Sequence, residues 1–299
     1  MDELKVKHRT LHACGAALLV LLAHGSSLAQ TETGKSAWEV SLGVGLASAP
    51  AHEGSAERVS SAVPMLELSY KTRDYGVFSV SGKEGGLVWT PLQTERYSLG
   101  FVVGSDPGRR DDRKRSAWEP GSARLLGMGR IKPSTELGMV GTLDLGVKLQ
   151  VRLSKGLGKG ADVETGNPSV GLPSLGKRGP DIDGHGGTKL ELAMPLSLPL
   201  AASWRLDVSP SVAWANTAYM RTFFGVSSRQ SNASGLRAFK ADGGLHRVGL
   251  DVSLSYAVDK NWSAVAALSA SSLAAPVAKS PVVETRGSRT ALLGVMYQF

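Results

Sequence analysis

The amino-acid sequence predicts an all-β protein, a single antiparallel transmembrane β-barrel of about 12 strands behind an N-terminal export signal. Apolar and polar residues alternate with period two along many segments, which is typical of strands whose two faces meet different environments. Short and long connections alternate between these segments, as they do in bacterial outer-membrane barrels. The last alternating segment stops on an aromatic residue, Phe299.

The first 29 residues have the pattern of a secretory signal peptide. Basic residues come first, an apolar core covers 11–22, and small residues lead up to Ala29. We expect cleavage after about Ala29, which leaves 30–299 as the barrel. The apolar run is too short for a comfortable membrane anchor. The chain's one cysteine, Cys14, lies in this segment, so the exported chain is predicted to have neither disulfides nor thiolate ligands.

Composition excludes some classes of protein. Hydrophobic residues make up 42% of the chain and the mean hydropathy is −0.06, which does not suit a helical membrane protein but does suit a barrel with a polar lumen. The net charge is +8, and a basic chain raises the question of nucleic acid. Export and the lack of a nucleic-acid motif argue against it. Membrane lipid and lipopolysaccharide, peptidoglycan or an anionic solute are the expected counterparts.

Alternation is clear in the first half of the chain. The segments "WEVSLGVGL" at 38–46 and "RYSLGFVVG" at 96–104 each place large apolar residues on one face. The longest run, "ELGMVGTLDLGVKLQVRL" at 136–153, is interpreted as one strand. Its apolar face runs from Leu137 to Leu153, and its other face carries Glu136, Asp144, Lys148, Gln150 and Arg152. A helix would scatter these charges around its circumference.

The second half repeats the pattern. Alternating segments lie near 188–198, 204–214, 247–258, 261–271 and 289–299, the fourth of them weakly patterned. In the last segment Ala291, Leu293, Val295, Tyr297 and Phe299 share the outward face. Leu292 and Met296 are apolar exceptions on the inward face.

Connections divide the chain into 12 predicted strands, with both ends of the barrel domain in the periplasm. This division treats 122–131 as a strand. Short connections are expected near 71–76, 82–86, 90–95, 132–135, 197–203 and 258–261, and long external ones near 47–61, 105–121, 155–184, 218–242 and 274–287. Aromatic residues at strand ends predict a girdle at the periplasmic rim: Trp38, Tyr70, Tyr97, Trp204, Tyr256, Trp262, Tyr297 and Phe299.

Charged residues are predicted on the inward faces of several strands. They could form a salt-bridge network that fills and stiffens the barrel, or a polar lining that selects solutes, and both alternatives stay open. The residues are Glu39, Asp144, Lys148, Arg152, Lys189, Glu191, Arg205, Asp207, Arg247 and Asp251.

No catalytic, metal or cofactor site is predicted. Three histidines, His52, His185 and His246, follow the signal segment, and none lies in a nucleophile motif. The stretch "DIDGHGG" offers Asp181, Asp183 and His185 but lacks the remaining ligands of a calcium loop. We therefore expect a solvated loop there, with His185 as a polar residue at the rim.

The last residues have a separate expected role. An outward-facing aromatic at the C-terminus, with apolar residues at alternate positions before it, resembles the signal that the barrel-insertion machinery reads. Tyr297 and Phe299 are the residues of this pattern.

From 185 onwards the chain resembles a known family. The matching stretches are "HGG" at 185–187, "YMRTFFGVSSRQSNASGLRAF" at 219–239, "ADGGL" at 241–245 and "KSPVVETRGSRTALLGVMYQF" at 279–299. They are similar to the MipA/OmpV family of MltA-interacting outer-membrane proteins. The most recognisable loop contributes Tyr219, Phe224, Gly225, Ser234, Gly235 and Leu236. The insert at 155–183 and His52, which stands where an aromatic is typical, depart from the family pattern.

The resemblance implies two functions and no enzymatic activity. The first is an outer-membrane scaffold that holds a lytic murein transglycosylase near a murein synthase. The alternative is a small-solute channel of the outer membrane involved in osmotic or antibiotic responses.

Overall fold

The computed structural model describes residues 37–82, 85–111, 121–161, 179 and 181–299. The predicted signal segment, its cleavage point at Ala29 and most of the 155–183 insert lie outside the described residues. Within the described part of the chain, no helix is both long enough and apolar enough to cross a membrane.

The chain folds into a closed antiparallel β-barrel, as predicted. Each segment pairs with the next along the chain, except that β8 and β9 both pair with β10 as two pieces of one strand, and β13 pairs with β1 to close the barrel. Thirteen segments therefore make 12 barrel strands. They are β1 Ala37–Pro50, β2 Arg58–Lys71, β3 Val77–Ser81, β4 Gly86–Gln93, β5 Tyr97–Asp106, β6 Ser134–Asp144, β7 Lys148–Gly156, β8 Thr188–Ala193, β9 Leu196–Ala201, β10 Trp204–Ala215, β11 Gly244–Ala257, β12 Trp262–Leu273 and β13 Gly287–Gln298. Closure pairs the first strand with the last, as lipid favours because it cannot satisfy open backbone groups.

The two ends of the barrel differ. Connections 51–57, 216–243 and 274–286, with the described parts of connections 82–85, 107–133 and 157–187, lie at one end, called here the loop end. Connections 72–76, 94–96, 145–147, 202–203 and 258–261 lie at the opposite end, called the turn end, together with Phe299. The predicted long loop at 47–61 is shorter than expected because β1 and β2 pair from Ala37 and Lys71 as far as Pro50 and Arg58.

The outer surface is apolar, as the alternation predicts. In β1, Leu42, Val44 and Leu46 are exposed, while Gly45 and Ala47 between them are buried inside. Aromatic rings pair on this surface at the turn end. Trp38 lies 4.3 Å from Tyr70, Trp204 lies 4.6 Å from Tyr256, and Trp262 lies 5.1 Å from Tyr297, measured between ring centroids.

The interior has two unlike walls. On one wall, Met65, Leu292 and Met296 pack with Val63 and neighbouring alanines and are almost fully buried. Leu292 and Met296 break the alternation because they fill the narrow lumen. By strand register, all ten charged residues predicted to face inward do so, and those of β7, β8, β10 and β11 form the other wall.

The interpretation of 136–153 as one strand is wrong. These residues form a hairpin, β6 and β7, with a tight turn at 145–147 where Gly146 has a φ of 88°. Asp144 pairs with Lys148, so odd-numbered residues face outward in both strands. The alternation thus continues through the turn without a change of phase. Leu145 is 73% exposed in the turn and does not lie on a strand in the membrane.

The strand expected at 122–131 is also absent. This segment holds a short 3₁₀ helix at Ala123–Leu125 and then runs across the loop end, where Leu125, Met128 and Ile131 are buried. The predicted periplasmic turn at 132–135 therefore lies at the loop end. The two errors cancel in the strand count, because one assumed strand is a hairpin and another is a loop.

Candidate functional site

The long connections fold into a cap over the loop end. Its helices are α1 Thr217–Phe224, α2 Ser228–Ser234 and α3 Ala275–Ala278. Asn216 caps α1 by accepting a hydrogen bond from the Tyr219 amide, and Ser227 with Gln230 forms a capping box at the start of α2. Gly235 ends α2 with a φ of 76°, a conformation that favours glycine.

Apolar side chains join the cap to the barrel. Tyr219, Met220 and Phe224 of α1 pack against Leu273 and Val277. A second cluster joins the segment that contains the 3₁₀ helix Ala123–Leu125 to the other loops. Its members are Leu125, Met128, Val226 and Val282. Burial of this kind contributes about 1.5–3 kcal/mol for each large side chain. The cap is therefore a packed part of the fold.

Hydrogen bonds tie the same segments together across long sequence separations. The Gln230 side chain donates to the Met128 carbonyl at 2.7 Å, and Ser280 donates to the Phe224 carbonyl at 2.6 Å. Arg109 donates to the Phe223 carbonyl at 2.6 Å. Each bond satisfies a polar group that the cap would otherwise bury without a partner.

Beneath the cap lies a layer of charged and aromatic side chains at the top of the lumen. On one side, Nε2 of His185 lies 3.1 Å from Oε1 of Glu136 and 3.8 Å from Oδ2 of Asp106. Nζ of Lys189 lies 2.8 Å from the same Glu136 oxygen. The His185 side chain is 0% exposed, because α1 covers it.

The other side of the layer carries two further ion pairs. Nε2 of His246 lies 3.1 Å from Oε2 of Glu53, and Nη2 of Arg247 lies 3.2 Å from Oε2 of Glu191. Tyr219 lies between the two sides. Its ring centroid is 5.3 Å from that of His185 and 5.4 Å from that of His246.

The charges of this layer shift the pKa values of loop residues. Burial alone would raise the pKa of Glu53, but His246, Arg247 and Lys189 outweigh it and lower the pKa to about 2. Burial raises the pKa of Tyr219 well above its usual value, and the negative charges of Glu53, Asp106 and Glu136 raise it further.

A second buried pair lies in the cap itself. Arg109 and Asp111 are each 4% exposed, and Asp111 accepts a hydrogen bond from the Gly129 amide. Burial lowers the pKa of Arg109 to about 10, against the opposing effect of Asp111. Burial, with help from the charge of Arg109, lowers the pKa of the nearby His52 to about 4. His52 is therefore neutral at physiological pH.

The structure separates the residues of the "DIDGHGG" stretch. Asp183 pairs with Lys132, and Asp181 accepts from the Arg130 amide. His185 points the other way, into the lumen. Its predicted position as a polar residue at the rim is wrong, because Tyr219 and Phe223 cover the ring.

The residues of the recognisable family loop belong to the cap. Tyr219 and Phe224 are buried on α1, Gly225 follows α1, and Gly235 ends α2. Ser234 donates to the Gln230 carbonyl and accepts from the Leu236 amide. Tyr297 and Phe299, the residues of the expected assembly signal, lie on the outer surface at the turn end with ring centroids 4.9 Å apart.

Sequence reasoning found only part of this polar layer: Lys189, Glu191 and Arg247 were predicted to face inward, but the layer as a whole was not. Its members Glu53, Asp106, Glu136, His185 and His246 are spread over much of the chain. The sequence offered one weak indication of this layer, which was a charged residue such as Glu136 facing inward at the loop end of a strand. Only the closure of the barrel brings these ends together.

Three comparisons with known proteins show what this chain is similar to. A family model described as MltA-interacting protein MipA matches residues 42–299. No protein with a curated description matches the sequence. Among solved structures, an outer membrane channel from Pseudomonas putida F1 aligns at 12% identity over 90% of this chain and 97% of that chain, with a TM-score of 0.39. A FadL homologue from Pseudomonas aeruginosa aligns at 10% identity over 88% and 90%, with a TM-score of 0.38.

Proposed function

The chain belongs to the MltA-interacting protein MipA family, and on that premise we propose that it is an outer-membrane scaffold protein without enzymatic activity. Its partners are a lytic murein transglycosylase and a murein synthase, which it holds at the periplasmic side of the membrane. The observation that carries the proposal is the family match across 42–299, since the family is described by its interaction with MltA.

The difference between the barrel ends supports this proposal. At the loop end, the cap buries Tyr219, Met220 and Phe224 together with the polar layer. At the turn end, which faces the periplasm in barrels of this kind, Tyr75 is 69% exposed and Leu145 is 73% exposed. Exposed aromatic and apolar residues of this sort commonly anchor protein interfaces. We therefore place the partner surface on the turns that carry Tyr75 and Leu145.

Affinity capture tests the proposal. The barrel is purified from outer membranes in detergent, immobilised and incubated with a periplasmic extract, and the bound proteins are identified by mass spectrometry. We expect a lytic transglycosylase and a murein synthase, and at least a tenfold loss of both when Tyr75→Ser and Leu145→Ser are combined. Lys240→Ser, an exposed substitution at the loop end, is the matched control. Capture of no peptidoglycan enzyme by the wild type would contradict the scaffold.

A second candidate, the small-solute channel, is favoured by the charged inner wall. Arg152, Arg205 and Asp207 line the lumen toward the turn end and keep part of their surface accessible. Such a lining selects ions and polar solutes in channels. Planar-bilayer recording separates the two candidates: discrete conductance steps support the channel, and a silent barrel that still captures its enzymes supports the scaffold alone.

A further inference from the structure

Three side chains with metal-binding atoms converge at the top of the lumen. Asp106 ends β5, Glu136 lies near the start of β6, and His185 lies just before β8. One ligand atom from each lies within 4.8 Å of the other two. The pairing of β5 with β6, of β6 with β7 and of β7 with β8 places the three residues side by side at the loop end.

The separations suit a tetrahedral zinc ion. Zinc binds histidine nitrogen and carboxylate oxygen at about 2.0–2.2 Å, so two ligand atoms on a tetrahedral ion lie roughly 3.3–3.5 Å apart. Nε2 of His185 lies 3.1 Å from Oε1 of Glu136 and 3.8 Å from Oδ2 of Asp106. Small side-chain adjustments bring both distances into this range.

The His185 ring is held in place with its hydrogen-bonding capacity unused. The side chain is 0% exposed, and among the described residues neither ring nitrogen has a partner at an acceptable hydrogen-bond angle. Tyr219 and Phe223 contact the ring edge to face, and Gly156 allows it to lie against β7, because a Cβ there would collide with the ring. A buried imidazole normally has a hydrogen-bond or metal partner, and here Nε2 points at two carboxylates.

The ammonium group of Lys189 already forms an ion pair with one of these three side chains. Its ammonium lies 2.8 Å from Oε1 of Glu136 and 5.1 Å from the Tyr219 ring centroid. It neutralises one of the two carboxylates. A divalent ion would compete with this ammonium for Glu136.

We propose that Asp106, Glu136 and His185 form a zinc site in which the metal displaces the Lys189 ammonium. The bound ion joins β5, β6 and the residues before β8 beneath the cap, and so fastens the cap to the barrel wall. This inference is independent of the proposed scaffold function, which concerns the turn end.

Zinc titration of the purified barrel tests the site. Protein purified from outer membranes in detergent is stripped with chelator and titrated with Zn²⁺ by calorimetry, with heat-modifiable migration as the check that each variant is folded. We expect one equivalent of zinc, at least a tenfold weaker affinity in Asp106→Asn and in His185→Ala, and a higher apparent melting temperature with zinc. Asp106→Asn is nearly isosteric and remains informative where His185→Ala does not fold.

Two further variants test whether zinc binds at these residues and whether it displaces the Lys189 ammonium. His246→Ala removes the other histidine of the polar layer and should keep its zinc affinity. Lys189→Met removes the competing ammonium and should bind zinc about tenfold more tightly. The absence of zinc binding in the wild type, or equal affinity in wild type and Asp106→Asn, would overturn the site. An unchanged affinity in Lys189→Met would overturn the exchange with the ammonium.

Discussion

Individual residues of the polar layer show that burying ionised side chains costs free energy. An ionised group loses hydration when it is buried, and a buried ion pair regains that cost only when its geometry is good. Glu136 lies within reach of both Lys189 and His185, and Glu53 within reach of His246. Removing one partner leaves the other charge buried, so single substitutions here should affect stability more than surface substitutions do.

Glu53 gives a pH-dependent prediction at this scale. Its pKa is about 2 in the folded barrel, against 4.5 for a glutamate side chain free in water. A lowered pKa contributes stability above pH 4.5, and that contribution is lost as the pH falls toward 2. Glu53→Gln should therefore destabilise the barrel by about 1–2 kcal/mol at pH 7, less than the full shift implies because the side chain is 31% exposed.

Thermal unfolding in detergent as a function of pH measures this effect. The wild type and Glu53→Gln should differ at pH 7 and converge toward pH 2. Glu57→Gln in the same connection is the control for loss of a charge near the loop end. A difference that stays constant from pH 7 to pH 2 would contradict the His246–Glu53 pair as its source.

Individual strands show how the two faces differ. In β7, Val151 faces outward and Gln150 faces the lumen, as their pairing with Gly141 and Thr142 of β6 shows. Arginine on the lipid face near the middle of the bilayer costs roughly 2–4 kcal/mol. Val151→Arg should therefore destabilise the barrel by this amount, and Gln150→Arg, with the same new side chain one position away, should cost much less.

Equilibrium unfolding from lipid vesicles measures both variants. Leu145→Arg serves as a further control, because Leu145 lies in the turn and should tolerate the charge. Similar costs for Val151→Arg and Gln150→Arg would contradict the assignment of faces.

The last strand carries an assembly prediction. Phe299 is 72% exposed on the outer surface, and its amide donates to the Val40 carbonyl of β1. We propose that Tyr297 and Phe299 are read by the barrel-insertion machinery. Deleting Phe299, or changing it to Ser, should lower the inserted amount and leave periplasmic material for proteases.

The amount of heat-modifiable protein in outer-membrane fractions measures this outcome. Gln298 faces the lumen by strand register, so the Gln298→Ala variant should assemble at normal levels. Normal insertion without Phe299 would refute the assembly role.

The whole molecule has a defined orientation. Long loops face the outside of the cell and short turns face the periplasm in bacterial barrels. Cysteines placed at Lys132 and Lys240, at the loop end, should react with an impermeant maleimide on intact cells. Cysteines at Val147 and Lys260, at the turn end, should react only after the outer membrane is permeabilised.

The sequence suits this labelling experiment, because its one native cysteine, Cys14, lies in the predicted signal segment. Gel-based detection of the attached label gives the result. Labelling of Val147→Cys and Lys260→Cys on intact cells, with Lys132→Cys and Lys240→Cys protected, would require the opposite orientation.

The alternation of apolar and polar residues along the sequence predicts which strand face meets lipid. Side chains on a strand alternate, and lipid selects apolar residues on one face only, so the pattern is local and readable for residues such as Val44, Leu293 and Phe299. The closing strand and the inward-facing charges were predicted on the same basis, whereas the count of 12 strands was right only because two errors cancelled.

The position of the β6–β7 turn and the fold of the loops depend on tertiary contacts, and the sequence pattern does not reveal them. Odd-numbered residues face outward both before and after the turn at 145–147. The alternation of apolar and polar residues is therefore uninterrupted and does not reveal the turn. The run from 136 to 153 exceeds the 9–11 residues of a membrane-spanning strand, and this length was the one available warning. The cap and the polar layer depend on contacts between distant segments, such as Asp106, Glu136 and His185. No local pattern in the sequence predicts those contacts, because they depend on which strands pair and in what register.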